Sequence, residues 1–185
     1  MIAKITFAEL SKSMPFYEYN NCRTINGYTI HIKFNEDDEV VTYSDIKYGK
    51  DKNIFEYQKQ LLLKFSQRLF LAIPDPFVVV RKYSGNWYVN NLLSHELVDF
   101  LEKESIKNED TACLIVPKKA PQVKLFMESI LKYNSFVDFS FVNHKVIITL
   151  TDHMDMFVSS HEKILPQVSE LVRLPEFSCL SIELI

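Results

Sequence analysis

Hydrophobic and polar positions recur with a helical period over the longest uninterrupted patterned stretch of the chain, residues 51–73. At about 100° per residue, an apolar stripe forms opposite a polar one. The apolar stripe consists of Ile54, Leu61, Phe65, Leu69 and Ile73. Leu63, Phe70 and Leu71 fall on the nominally polar side, so we expect the last two turns to be covered nearly all round. The pattern predicts a long packing helix, clasped by the aromatic segment 16–19 or by a second chain.

A period of two, typical of strands, follows the turn dipeptide Asn26-Gly27. The positions that share one face of this predicted strand are Tyr28, Ile30, Ile32 and Phe34. An acidic tip then leads into a second predicted strand, Val40 to Ile46. The tip consists of Glu36, Asp37, Asp38 and Glu39. Its charges suit a basic partner, and a solvated hairpin tip is the plainer interpretation.

Helix signals elsewhere are shorter. Thr6 and Glu9 have capping-box spacing, which predicts a helix from residue 7 to about Met14. Amphipathic patterns also begin at Ser94, with Leu97, Val98 and Leu101, and at Pro121, with apolar positions up to Leu131, and Met154 to Leu165 has helical spacing.

Taken in order, the elements predicted for residues 111–184 are β-α-β-β-α-β, as in a ferredoxin-like unit. Residues 40–116 give the same order and share the strand at 111–116. The fold class predicted is α+β, with a mainly antiparallel sheet and helices packed on it. One continuous sheet and two ferredoxin-like units sharing a strand are the two organisations considered. We expect a single domain over residues 1–185, with a subdivision into 1–105 and 111–185 as the alternative.

Composition and charge narrow the classes of function. The chain has 185 residues, of which 47% are hydrophobic and 24% charged, and its formal net charge is -3. This composition is that of a folded globular protein, and the charge predicts neither a nucleic acid nor a membrane as partner. No apolar run is long enough to suggest a membrane span or a signal peptide. The three cysteines, Cys22, Cys113 and Cys179, show no paired spacing, so we expect reduced thiols and a cytoplasmic location.

Glycine is scarce, with three residues in the whole chain. A phosphate-binding loop needs several glycines within a few positions, because backbone N–H groups must approach the anion closely. Nucleotide-binding motifs of that kind, and the nucleophile elbow of α/β-hydrolases, are therefore excluded. No other motif points to a particular family.

Ligand-type side chains are dense in one segment only. These residues are Asp152, His153, Asp155, His161 and Glu162. They allow a metal site or an acid/base pair, which would support a metal-assisted hydrolase. If residues 154–165 are helical, however, His153 and His161 lie about 12 Å apart along the axis. We therefore predict neither a metal nor a cofactor, and interpret Asp152 as a helix cap.

Aromatic residues near turns are candidates for anchoring a protein partner, because Tyr and Trp are favoured at interfaces. The candidate binding residues are Tyr17, Tyr19, Trp87 and Tyr88, together with the acidic tip Glu36, Asp37, Asp38 and Glu39; Tyr48 lies in a similar position. The sequence predicts a non-enzymatic intracellular interaction module that binds another protein, such as a neutralising, immunity-type protein or an assembly subunit. The metal-assisted hydrolase is the alternative.

Overall fold

The computed structural model describes residues 3–18, 23–24, 27–73, 77–81, 93–106, 113–116, 122–133, 137–161 and 164–185. Its helices are α1 (Phe7–Ser13), α2 (Tyr43–Ile46), α3 (Lys52–Ala72), α4 (His95–Lys103), α5 (Gln122–Tyr133) and α6 (Leu165–Val172). Its strands are β1 (Ala3–Ile5), β2 (Tyr17–Glu18), β3 (Arg23–Thr24), β4 (Tyr28–Phe34), β5 (Phe77–Arg81), β6 (Cys113–Val116), β7 (Val137–Phe141), β8 (Val146–Leu150), β9 (Met156–Ser160) and β10 (Leu180–Leu184).

Eight of these strands form one sheet in the order β1-β6-β5-β7-β8-β9-β4-β10. Every neighbouring pair in this sheet is antiparallel. The short strands β2 and β3 form a separate antiparallel pair. The predicted α+β class with a mainly antiparallel sheet is confirmed.

The main core lies between α3 and one face of the sheet. Phe70 of α3 meets Phe139 and Phe141 of β7 edge-on, with ring centroids 5.1 Å apart in both pairs. Leu63 is also buried in this core, whereas Leu71 is 61% exposed. The prediction of a helix covered nearly all round is therefore wrong at Leu71, which faces solvent.

A smaller core lies on the other face of the sheet. It is formed by Leu10, Met14, Phe16, Tyr17 and Ile147. Helix α1 leads into this core and begins with the expected capping box, in which Thr6 and Glu9 are bonded reciprocally. Phe16 and Tyr17 thus cover the sheet and not α3, which corrects the expectation that segment 16–19 clasps the long helix.

The strand predicted for Val40 to Ile46 is not formed. Thr42 accepts a hydrogen bond from the Asp45 N–H, and the Asp45 carboxylate accepts one from the Thr42 N–H. These reciprocal bonds begin the short helix α2. The β-branched run before Thr42 suggested a strand, but the capping box determines the local structure.

The helix predicted for Met154 to Leu165 is replaced by β9. Met156 and Val158 pair with Ile32 and Ile30 of β4, and their side chains enter the main core. The turn before β9 closes with a 3.1 Å hydrogen bond from the Thr151 N–H to the Asp155 carbonyl. Apolar residues at this spacing fit the period of a helix as well as that of a strand. The strand is favoured because β9 pairs with β4 on one side and with β8 on the other.

The ferredoxin-like organisation is not confirmed. From β6 to β10 the order is β-α-β-β-β-α-β, because β9 adds a strand. In the sheet, β5 lies between β6 and β7, and β10 pairs with β4. The main core contains both Ile30, from the first half of the chain, and Leu180, from the second half. The two halves therefore share one core.

Candidate functional site

The acidic tip forms a turn between β4 and α2. The backbone N–H of Asn35 donates to the Cys179 carbonyl at 2.9 Å, and the N–H of Asp38 donates to the Asn35 carbonyl at 3.0 Å. Residues 36–40 are all exposed. The tip thus starts from a fixed strand end and presents its carboxylates to solvent.

Gln58 of α3 holds the other end of this turn. Its Nε2 donates to the Glu39 carbonyl at 2.7 Å, and its Oε1 accepts from the Val41 N–H at 3.0 Å. Gln58 is 3% exposed and Val41 is fully buried. One buried amide therefore satisfies main-chain groups on both sides of residue 40, in place of the strand ladder that the sequence suggested.

Two exposed tyrosines flank the tip. Tyr57 precedes Gln58 on α3 and is 61% exposed, while Tyr48 follows α2 and is 88% exposed. Lys50 brings the Tyr48 segment to the tip, because its Nζ forms an ion pair with Glu39. We name this region the acidic–tyrosine surface; it comprises Glu36, Asp37, Asp38, Glu39, Val40, Tyr48 and Tyr57.

The charges of this surface are incompletely balanced. The hydrogen bond and the charge of Glu39 raise the pKa of Lys50 above its usual value. Within the described ranges, Glu36, Asp37 and Asp38 form no ion pair. Three carboxylates in succession therefore create a negative potential, and Asp38 acts on Tyr57.

Tyr57 lies against Cys179, the residue just before β10. Interaction with the Cys179 side chain, through charge and then through a hydrogen bond, raises the pKa of Tyr57, and burial and the charge of Asp38 add to this rise. The Tyr57 hydroxyl can donate a hydrogen bond to a partner.

The other predicted anchors are placed differently. Tyr17 is only 6% exposed, and its hydroxyl lies 3.5 Å from Oδ2 of the buried Asp138. Its ring packs in the smaller core, so Tyr17 is not available as an exposed anchor, and that prediction is corrected. Tyr19, Trp87 and Tyr88 lie outside the described residues.

Strand β9 separates the ligand-type residues of segment 152–162. Asp155 precedes β9 and His161 follows it, so about 20 Å of extended chain lies between them. His161 stacks on Phe16 with ring centroids 5.5 Å apart, and the His153 side chain is 81% exposed beside Asp152. Glu162 lies outside the described residues.

Asp155 instead meets a histidine from another strand. His31 Nε2 of β4 lies 2.8 Å from Asp155 Oδ2, and each side chain is 17% exposed. Thr151 also donates to Asp155, and the His31 ring stacks on Phe157 at 4.4 Å. This carboxylate orients the imidazole across the β4–β9 pair, an arrangement that serves packing and that is also suited to proton transfer.

A metal centre is not assembled in the part of the chain that the structure covers. Across those ranges, no group of three or more His, Cys, Asp or Glu side chains is close enough to hold an ion. None of the described helices is long and apolar enough to cross a membrane.

Sequence reasoning missed Tyr57 and Gln58. Tyr57 lies at the polar edge of the α3 pattern, about 60° from Ile54, which suggested solvent, whereas Gln58 falls on the apolar stripe, about 40° from Ile54. The available signal was Tyr57 itself, since a large ring on a polar helix face is unusual enough to mark a contact. Gln58 offered a signal as well, since an amide on the apolar stripe needs a buried hydrogen-bond partner, but the sequence did not show that this partner is Val41, 17 residues away.

Comparison with known protein families, with curated proteins and with solved structures yields no match to this chain.

Proposed function

We propose that this chain is a non-enzymatic interaction module that binds a basic segment of another protein through the acidic–tyrosine surface. The observation that carries the proposal is the exposure of Tyr48 and Tyr57 on a surface with three carboxylates that pair with no cation among the described residues, on a turn that buried Gln58 holds. Neutralising the partner, as immunity-type proteins do, and serving as an assembly subunit are both consistent with such a surface.

Pre-organisation supports this role. An exposed tyrosine supplies a large contact area and loses little conformational entropy when it is buried against a partner. Because Gln58 already fixes the main chain on both sides of Val40, the turn need not be ordered during binding. The carboxylates would accelerate encounter with a basic partner and select against an acidic one.

A native pull-down tests the proposal. The wild-type chain is immobilised on a resin and incubated with extract from its own cells. It should recover a second protein in stoichiometric amount, which mass spectrometry identifies. Tyr57→Ser and the double change Asp37→Asn/Asp38→Asn should each weaken its capture at least tenfold. Asp99→Asn removes an exposed carboxylate on α4 and serves as the matched control.

The salt dependence provides a second readout. With the partner purified, raising the ionic strength should weaken binding by the wild type more than binding by Asp37→Asn/Asp38→Asn. The proposal fails if no stoichiometric protein is recovered, or if the tyrosine and carboxylate variants bind as well as the control.

The metal-assisted hydrolase has less support, because β9 keeps Asp155 and His161 apart and Asp155 is bonded to His31. Elemental analysis of the purified protein, and its melting temperature with added divalent ions, test that alternative. A stoichiometric metal that is lost on His161→Ala would favour it over the interaction module.

A further inference from the structure

Strand β10 forms one edge of the eight-stranded sheet and pairs with β4 on its inner side. Two hydrogen bonds just beyond the strand ends show how it is oriented. The Asn35 N–H donates to the Cys179 carbonyl, and the Ile185 N–H donates to the Thr29 carbonyl, both at 2.9 Å. Odd-numbered positions from 179 to 185 therefore direct their main-chain groups towards β4.

The even-numbered positions point the other way. In an antiparallel pair the hydrogen-bonded positions alternate, so the N–H and C=O groups of Leu180, Ile182 and Leu184 face outwards. Across the described ranges no other strand pairs with this side of β10. The edge thus offers a row of donors and acceptors spaced for another strand.

This edge lacks the usual protection against pairing. Natural edge strands are protected by charged side chains, above all lysine, by proline, by a bulge or by a covering element. β10 reads Leu-Ser-Ile-Glu-Leu and has one charged residue, Glu183, which lies 3.1 Å from Lys33 of β4. Leu184 is 59% exposed and Ile185 is 68% exposed at its end. An apolar, regular edge of this kind is suited to strand addition.

We propose that β10 pairs antiparallel with β10 of a second copy of this chain, about a two-fold axis at Ile182. In that register Leu180 faces Leu184 of the other copy, and Ile182 faces its own equivalent. All three outward-facing positions then form hydrogen-bonded pairs, with about six bonds between the chains. The interface is isologous and joins the two sheets into one.

Charge selects this register and favours a second copy as the occupant. A shift that centred the axis on Glu183 would place two glutamates opposite each other, which is unfavourable. In the proposed register Glu183 lies opposite Ser181 of the other copy. Within that other copy, Ser181 of β10 pairs with Lys33 of β4. Glu183 of one copy, and Ser181 and Lys33 of the other, therefore lie in one row across three neighbouring strands.

Analytical ultracentrifugation over a concentration series tests the dimer. The weight-average mass of the wild type should rise towards twice the mass of one chain. Leu184→Lys should hold it at the mass of one chain across the same range, because a lysine on an edge strand opposes pairing. Leu71→Lys changes an equally exposed leucine on α3 and should leave the dimer unchanged.

Ile182→Pro provides a second variant. The N–H that it removes points away from β4, so the ladder within the chain is kept while the central bonds between chains are lost. Circular dichroism establishes that it folds, and its mass should remain that of one chain. Hydrogen exchange on the wild type should slow at Ile182 and Leu184 as concentration rises, by at least tenfold.

The proposal is overturned if the wild type keeps the mass of one chain up to its solubility limit. It is also overturned if Leu184→Lys and Leu71→Lys associate equally well, since the dimer would then use another surface. Tyr57→Ser should leave the dimer intact, so a failure of this inference is distinguishable from a failure of the proposed function.

Discussion

Gln58 accepts a 3.0 Å hydrogen bond from the backbone N–H of Val41 at a point where both residues are buried. The same amide donates to the Glu39 carbonyl. A single side chain thus replaces the main-chain partners that a strand would have given this segment. The geometry of the acidic tip depends on that side chain.

Gln58→Ala should destabilise the protein by about 1–3 kcal/mol, because it leaves the Val41 N–H and the Glu39 carbonyl without these partners. Urea denaturation followed by circular dichroism measures the change. Gln60→Ala, at an exposed position on the same helix, is the control and should cost less than about 0.5 kcal/mol. Equal effects of the two changes would contradict the anchoring role of Gln58.

The long helix offers a matched pair of leucines. Leu63 is 2% exposed within the main core and Leu71 is 61% exposed. Leu63→Ala should cost about 2–5 kcal/mol, since it removes buried methyl groups and leaves a cavity. Leu71→Ala should change the free energy of unfolding by less than about 0.5 kcal/mol. A small loss at Leu63 would show that this position is not packed as described.

The contact between His31 and Asp155 predicts a difference between two histidines. His31→Ala removes the 2.8 Å hydrogen bond and the stacking on Phe157, and should destabilise the protein by about 1–3 kcal/mol. His153→Ala changes an exposed neighbour of Asp152 and should have little effect. Thermal unfolding of both variants beside the wild type distinguishes them. The interpretation fails if His153→Ala is the more costly change.

Glu176 predicts a dependence of stability on pH. Its hydrogen bond from Lys64, with the charges of Arg68 and Lys64, holds the pKa of the carboxyl below its ordinary value. The pKa of Glu176 is lower in the folded state than in the unfolded state. The ionised carboxylate therefore stabilises the fold fully at a pH above its ordinary pKa. This stabilisation is lost as the pH falls through the folded-state value.

The melting temperature of Glu176→Gln should therefore lie below that of the wild type at neutral pH. The difference should shrink as the pH falls from about 5 to about 3. Glu170→Gln, on the exposed side of α6, should show no such trend. A difference that grows towards acid would mean that folding raises the pKa of Glu176 and does not lower it.

The sequence predicted those elements whose signals are local. Thr6 and Glu9 predicted the start of α1, and the stripe from Ile54 to Ile73 predicted α3, because capping and periodicity act within a few residues. The tip at Glu36–Glu39 was predicted as a solvated hairpin tip; it is exposed, although the second strand of that hairpin is not formed.

Elements that depend on distant partners were predicted less well. Residues 156–160 are apolar at a spacing that suits helix or strand, and β4 and β8 on either side of them favour the strand. The proximity of Asp155 to His31 follows from that pairing and has no local signal. The capping residues Thr42 and Asp45 were a local signal that the strand-like run before them obscured.

The position of β4 in the sheet has a consequence for the chain during synthesis. Its partners β9 and β10 both come much later, and His31 and Asp155, which mark its contact with β9, are separated by 124 positions. Until the ribosome has synthesised β9 and β10, Ile30 and Ile32 cannot pack against the apolar residues of these strands. Co-translational folding is therefore delayed at one end of the sheet, and a chain interrupted before residue 156 exposes β4 to aggregation.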